Sequence, residues 1–175
     1  MECIIDIVNK EFNTLEDCLD KVFQAASNYA TEGIKENIGG PFGAGIIQKV
    51  NDKYKILVIE RNTVISTKDA TNHAEVNAIR KAEKILNRIF LDDCILVSTA
   101  KSCPMCLSAA CWAKISTLYY GIDYTNATLS GFKDDSILEY LNGKNNHLIK
   151  EVLKENNYSE EPFKVWNSLE EKTMY

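Results

Sequence analysis

At 175 residues, with 45% hydrophobic and 26% charged side chains, the chain can bury one real core and has an ordinary globular composition. No uninterrupted apolar run reaches the length of a membrane span, and residues 1–6 lack the basic-then-apolar pattern of a signal peptide, so a single cytoplasmic domain over residues 1–175 is expected. The formal charge of −5 argues against a nucleic-acid partner, because phosphate binding runs on Lys and Arg, and leaves a small neutral ligand open.

Residues 1–13 have no clear period. Thr14 can cap a helix, with Asp17 in the position of a capping box. Leu15, Leu19, Val22, Phe23, Ala26 and Ala30 then recur at three and four residues, one apolar face ending at Gly33 or Gly39-Gly40. Residues 42–50 and 54–60 read as two strands around an Asn51-Asp52-Lys53 turn, an antiparallel hairpin. Residues 61–72 are polar and turn-rich and read as a loop. Residues 73–89 carry Val76, Ile79, Ala82, Leu86 and Ile89 on one stripe, a helix broken by Asp92-Asp93.

Residues 94–98 form a short apolar run suited to a buried strand. Residues 104–113 read as a helix rich in small residues, and 115–121 as another strand. Strand, strand, helix, strand, helix, strand predicts an α/β fold with a mostly parallel sheet covered on both faces. The loops before His73 and Cys103 then lie at the carboxyl edge of the strands, where such sheets bind ligands. Farther on, residues 135–141 suit a short helix, 148–153 fit an edge strand or a helix, and 161–172 suit an amphipathic helix with Phe163, Trp166 and Leu169.

Six cysteines without a secretion signal point to a reducing compartment and to metal or free thiols. Cys103 and Cys106 stand about one helical turn apart if a helix begins at Pro104, a residue suited to a first turn. Upstream lies His73-Ala74-Glu75. One imidazole and two thiolates make three ligands, the number that leaves a zinc ion one position for water. Both halves fall at expected helix N-termini, whose partial positive charge favours thiolates. Glu75 beside such a water has the chemistry of a general base. The competing structural reading closes the site with Cys94 or Cys111 and makes Glu75 a solvated first-turn acid. Cys3 and Cys18 read as packing thiols, and His147 as an exposed loop residue.

H-x-E followed by P-C-x-x-C is the signature of zinc-dependent nucleobase deaminases. On His73, Glu75, Cys103 and Cys106 the chain resembles the zinc-dependent cytidine-deaminase-like superfamily. Within it the chain looks like the guanine deaminase family, through residues 39–44, 73–82, 91–96 and 103–107, with weaker matches at Trp112-Ala113, Gly131-Phe132, residues 134–136 and Tyr175. The resemblance implies a three-layer α/β/α sandwich around a five-stranded mixed sheet, and one Zn²⁺ per chain with a bound water. It also implies a homodimer in which a C-terminal segment, residues 155–175, crosses to the partner, with Tyr175 reaching into a pocket and Phe163 and Trp166 anchoring the crossing. Asn62 and Asp135 match residues that contact the purine. Phe42 would stack on the base, and Trp112 would line the pocket or fill the dimer interface. The backbone N–H of Ala74 or Cys103 would hold the substrate's oxygen or the developing tetrahedral centre.

Two departures stand out. Lys101-Ser102 occupies the place of the family's usual Glu-Pro. One extra residue at Lys133 leaves Asp134 competing with Asp135 for the substrate-facing place, and Asp135 is preferred because it keeps the step to Ser136. The expected reaction is hydrolytic deamination of a purine base, guanine to xanthine plus ammonia. The alternatives are deamination of another amino-heterocycle, of a nucleoside such as guanosine or cytidine, or of tRNA adenosine, and a zinc-stabilised binding module without turnover.

Overall fold

The computed structural model describes residues 4–123, 128, 129, 131, 134–144, 148–154, 156 and 158–171, the side chains of Ile5 and Asp135 excepted. Tyr175, expected at a pocket, and His147, expected on a surface loop, lie outside the described residues. The chain divides into two units, Met1–Asp134 and Asp135–Tyr175.

In the first unit a helical turn, α1 (Ile4–Ile7), leads into β1 (Glu11–Phe12). Thr14 then caps α2 (Leu15–Lys35): its hydroxyl accepts from the Asp17 N–H at 3.2 Å and donates to the Asp17 carboxylate at 2.5 Å. The next strands, β2 (Gly43–Val50) and β3 (Lys53–Arg61), close over a two-residue turn in which Asn51 adopts φ 54°, a conformation that asparagine tolerates. A short helix, α3 (Val64–Thr67), interrupts what the sequence reads as loop. Then come α4 (Ala74–Leu86), β4 (Cys94–Ala100), α5 (Pro104–Trp112) and β5 (Thr117–Ile122). Asn87, left-handed at φ 49°, stops α4 well before Asp92-Asp93.

The sheet has five strands in the order β1-β3-β2-β4-β5 and is mixed, as expected. Its pairing departs from a mostly parallel sheet. Only β4 and β5 pair in parallel, while β1–β3, β3–β2 and β2–β4 are antiparallel. The reason is the hairpin: β2 folds back and lodges between β3 and β4. Those two strands still run in the same direction because each opposes β2. The carboxyl ends of β3 and β4 therefore share one edge with the amino end of β2.

Helices cover both faces. Cys18, Val22, Ala25 and Ala26 of α2 pack on Ile47, Ile56, Ile59 and Val97. On the other face Ala74, Ala78, Ile79 and Ala82 of α4, with Ala110 of α5, pack on Ala44, Ile46, Val58 and Leu96. The small residues of α4 and α5 let both helices lie close to the strands. This α/β sandwich is the expected three-layer arrangement.

The second unit holds α6 (Asp135–Leu141) and α7 (Glu161–Ser168). Residues 148–153 form neither strand nor helix. Asn156 Oδ1 accepts from the N–H groups of Tyr158 and Ser159, each at 2.9 Å, a turn that leads into α7.

At Gly43 the sheet comes close to α2: a Cβ there would lie 2.2 Å from the backbone oxygen of Ala26. Neither backbone can yield without moving the helix. Gly43→Ala is expected to lose about 1–3 kcal/mol of stability, read as a lower urea midpoint at unchanged slope.

Candidate metal centre and active site

The shared strand edge fixes where the functional side chains emerge. Proline restricts the residue before it to extended backbone, and Cys103, before Pro104, has φ −66° and ψ 166°. It is the N-cap of α5, Pro104 opens the first turn, and Cys106 follows at the third helical position. His73 is the N-cap of α4, extended at φ −68° and ψ 155°, and Glu75 lies in that helix's first turn. The two helix N-termini therefore face one another, with their unpaired N–H groups and partial positive charge converging.

His73, Cys103 and Cys106 bring one nitrogen and two sulfurs within 4.8 Å of one another. His73 Nδ1 is 3.6 Å from Cys103 Sγ and 3.5 Å from Cys106 Sγ. With Zn–S near 2.3 Å and Zn–N near 2.0–2.1 Å, a tetrahedral angle demands an N···S separation of about 3.5 Å. The donors thus have the spacing, chemistry and number of a zinc site that keeps one position open. Among the described residues no fourth His, Cys, Asp or Glu joins the set. The two thiols that could have closed it are elsewhere: Cys94 is buried beside Asp93 and Arg88, and Cys111 is exposed on α5.

The electrostatics agree with this donor set. A hydrogen bond from Cys106 and another with His73 hold the Cys103 thiol down to about 4, against the pull of burial. Cys106, as the donor to that thiolate and buried near Glu75, is pushed up. The contact with Cys103 raises His73 as well. The pair therefore favours sharing one proton, with Cys103 the more acidic of the two thiols.

Glu75 is 5% exposed, and its Oε1 accepts from Ser98 Oγ at 3.2 Å and Ser102 Oγ at 2.9 Å. It borders a cavity of about 250 Å³ lined also by Phe42, Asn62, His73, Lys101, Cys103 and Asp134, with Val64, Ile65 and Ala70 closing an apolar side. Asn62, 5% exposed, spends its Oδ1 on the N–H groups of Gly40 (3.2 Å) and Val64 (3.1 Å). Its carbonyl is thereby occupied, and the amide nitrogen is the group left to meet a ligand, as a donor. Gly39 is needed here, because a Cβ would lie 2.1 Å from the Asn62 backbone oxygen. Asn77 Nδ2 ties the cavity-lining loop to α4 by donating to Arg61 O, Thr63 Oγ1 and Asn72 O.

Among the residues singled out in the sequence, His73, Glu75, Cys103, Phe42 and Asn62 border one cavity, and Cys106 joins the ligand cluster beneath it. Ala74 is fully buried at the start of α4. Trp112 does not line the cavity; it sits at the far end of α5 and is 67% exposed. Asp134 borders the cavity, while the side chain of Asp135 lies outside the described residues. Sequence reasoning missed the hydroxyls of Ser98 and Ser102. The position of Ser98 two residues after Leu96, on the same buried face of the strand, was the available signal.

The profile of the cytidine and deoxycytidylate deaminase zinc-binding region matches residues 16–122, which include His73, Glu75, Cys103, Cys106 and the cavity lining other than Asp134. The chain belongs to that zinc-binding deaminase family. Members are hydrolytic aminohydrolases, and His73, Cys103 and Cys106 are the residues here that fit the family's zinc. A guanine deaminase of Bacillus subtilis is 44% identical over 112 residues, covering 64% of this chain and 69% of the relative. A crystal structure of the B. subtilis guanine deaminase superposes with a TM-score of 0.80 at 34% identity, over 89% of this chain and 98% of that one. A solved tRNA A34 deaminase matches less fully, with a TM-score of 0.55 and 27% identity over 59% of this deaminase and 72% of its own chain.

The purified deaminase is expected to carry close to one zinc per chain by plasma mass spectrometry, and Cys106→Ala to lose most of it. Stripping the ion with a chelator should lower stability by about 4 kcal/mol if free zinc had stood at a thousandfold its Kd. Because Cys106 and a raised His73 must both give up protons to the metal, affinity should weaken as the pH falls below neutrality, measurable by competition titration against a chromophoric chelator.

Proposed function

We propose that the substrate is a free purine base, guanine, converted to xanthine and ammonia. The observation that carries this reading is the likeness to the B. subtilis guanine deaminase across nearly its whole length, joined to a cavity sized for one small ring system. A cavity of about 250 Å³ suits a free base better than a nucleotide held within RNA, and the chain's net charge of −5 points the same way.

In this reading His73, Cys103 and Cys106 hold the zinc, which supplies a Lewis acid that ionises water near neutral pH. Glu75 accepts the proton from the attacking water and delivers it to the ring nitrogen of the amidine. The oxygen adds to the carbon bearing the amine. Glu75 then takes the remaining proton from the added hydroxyl and passes it to that amine; the C–N bond breaks as the C=O forms, and ammonia leaves. Asn62 donates to an acceptor on the base edge. Phe42 packs on the ring face, and the apolar wall of Val64, Ile65 and Ala70 excludes water. The acid that meets the guanine N–H edge is taken from Asp134-Asp135, with Asp134 bordering the cavity. The N–H of Ala74 or Cys103, at the positive ends of α4 and α5, meets the substrate's oxygen.

The working unit in this reading is a homodimer in the cytoplasm, serving purine breakdown. Large apolar side chains at the surface support it: Leu107 and Trp112 on α5, Tyr120 and Ile122 on β5, and Leu153, Tyr158 and Phe163 in the second unit. Residues 155–175 are the segment that would cross, with Phe163 and Trp166 as its anchors and Tyr175 at the partner's cavity.

Glu75→Gln should retain zinc and lose at least two to four orders of magnitude in kcat, the usual worth of a positioned acid–base group. Ammonia release measured across guanine, guanosine, adenine, cytosine and cytidine should be strongest with guanine. Equal release from a nucleoside, or tight tRNA binding at physiological salt, would sink the free-base reading.

A further inference from the structure

Glu75 is held by a feature that the deaminase signature lacks. That signature has proline immediately before its first cysteine, and proline offers no side-chain donor. Here the position is Ser102, and its hydroxyl donates to Glu75 Oε1 at 2.9 Å. Ser98 donates to the same oxygen at 3.2 Å. The three residues come from three separate elements: Glu75 from α4, Ser98 from β4, and Ser102 from the loop that enters α5. All are buried, with Ser98 1% and Ser102 5% exposed.

Two donors on one carboxylate oxygen fix the plane of the carboxyl group and leave the two oxygens inequivalent. We propose that Ser102, with Ser98, is a positioning residue: it pins Oε1 so that Oε2 alone exchanges protons between water, ring nitrogen and leaving amine. This rests on the reading of Glu75 as the proton shuttle. A carboxyl group passing protons between a water and two nitrogens of one bound base must present the same oxygen at each step, and rotation about its last torsion would lose that register. That torsion is broad and roughly two-fold in free side chains, so the restraint has to come from outside the residue. A misplacement of about 1 Å in a reacting group can cost about a hundredfold in rate.

In this role the hydroxyls act on Glu75 Oε1, to which both donate, and not on the substrate. Their removal therefore acts on kcat. Ser102→Ala is expected to lower kcat about ten- to a hundredfold with KM and zinc content unchanged, and Ser102→Thr, which restores a hydroxyl, to recover most of the loss. Ser98→Ala, on a different element, should lower kcat in the same way and guards against a folding defect peculiar to the α5 entry. In a Glu75→Gln background, Ser102→Ala should cost nothing further.

A second readout needs no turnover. In zinc-free protein carrying ¹³C-labelled glutamate carboxyl groups, the infrared carboxylate bands assigned to Glu75 by their loss in Glu75→Gln should shift in Ser102→Ala and return in Ser102→Thr. An unmoved band with kcat within twofold of the parent overturns the proposal. So does a fall in kcat that tracks zinc loss or a rise in KM, or one that Ser102→Thr fails to recover. If Glu75→Gln itself turns over at the parent rate, the shuttle reading fails first, and the infrared shift then reports only a structural pin.

Discussion

Everything at this site depends on two helix N-termini being brought face to face at one edge of the sheet. Strands β3 and β4 run the same way because both are antiparallel to β2, which lies between them. Each is followed by a segment that ends in an extended N-cap, His73 for α4 and Cys103 for α5. An imidazole and two sulfurs then meet at 3.5–3.6 Å across the gap. Had β2 lain outside the β3–β4 pair, the connections and the spacing of the helices would both differ. The hairpin that looks like an ornament to the sheet thus sets the separation of the metal ligands.

The same convergence accounts for the chemistry. Unpaired backbone N–H groups and aligned peptide dipoles at both helix starts favour negative charge, and a thiolate, a carboxylate and a developing oxyanion are all negative. Hydrogen bonds from Cys106 and with His73 favour the thiolate of Cys103. Glu75 is buried at the same place and keeps hydrogen-bond partners that let it stay there. Lys101 and Asp134 bring opposite charges to the cavity wall, and Lys101 also pairs with Asp123 at 3.5 Å. The family's usual acid at that position is thus replaced by a cation that is already balanced by a neighbouring carboxylate.

Local signals carried much of the fold. The Thr14 cap, the Asn51-Asp52 turn, the stripe of α4 and the Cys103-Pro104 step each act over a few residues, and each has the structure that its chemistry dictates. Elements whose existence depends on distant partners were not legible. Strand β1 is two residues long and exists because Glu11 and Phe12 pair with Lys55 and Tyr54. Helix α3 ends at Lys68 in a left-handed conformation that no local glycine announces, and its Ser66 N–H is satisfied by Ile38. The direction of the sheet was misjudged for the same reason. Sequence order shows which strands follow one another, and insertion of β2 between β3 and β4 is a matter of long-range pairing.

By itself the sequence determined the ligand types, their number and the helix turns that present them, because imidazole, thiol and proline chemistry is carried by the residue and its nearest neighbours. It also determined that a carboxylate stands two positions from the histidine. Tertiary structure alone decided that residues thirty positions apart share an ion-sized gap, that Asn62 lines the cavity with its carbonyl spent on Gly40 and Val64, and that two serines from different elements grip one oxygen of Glu75. Those are distances between segments with no sequence proximity, and only the packing of both helices on one sheet sets them.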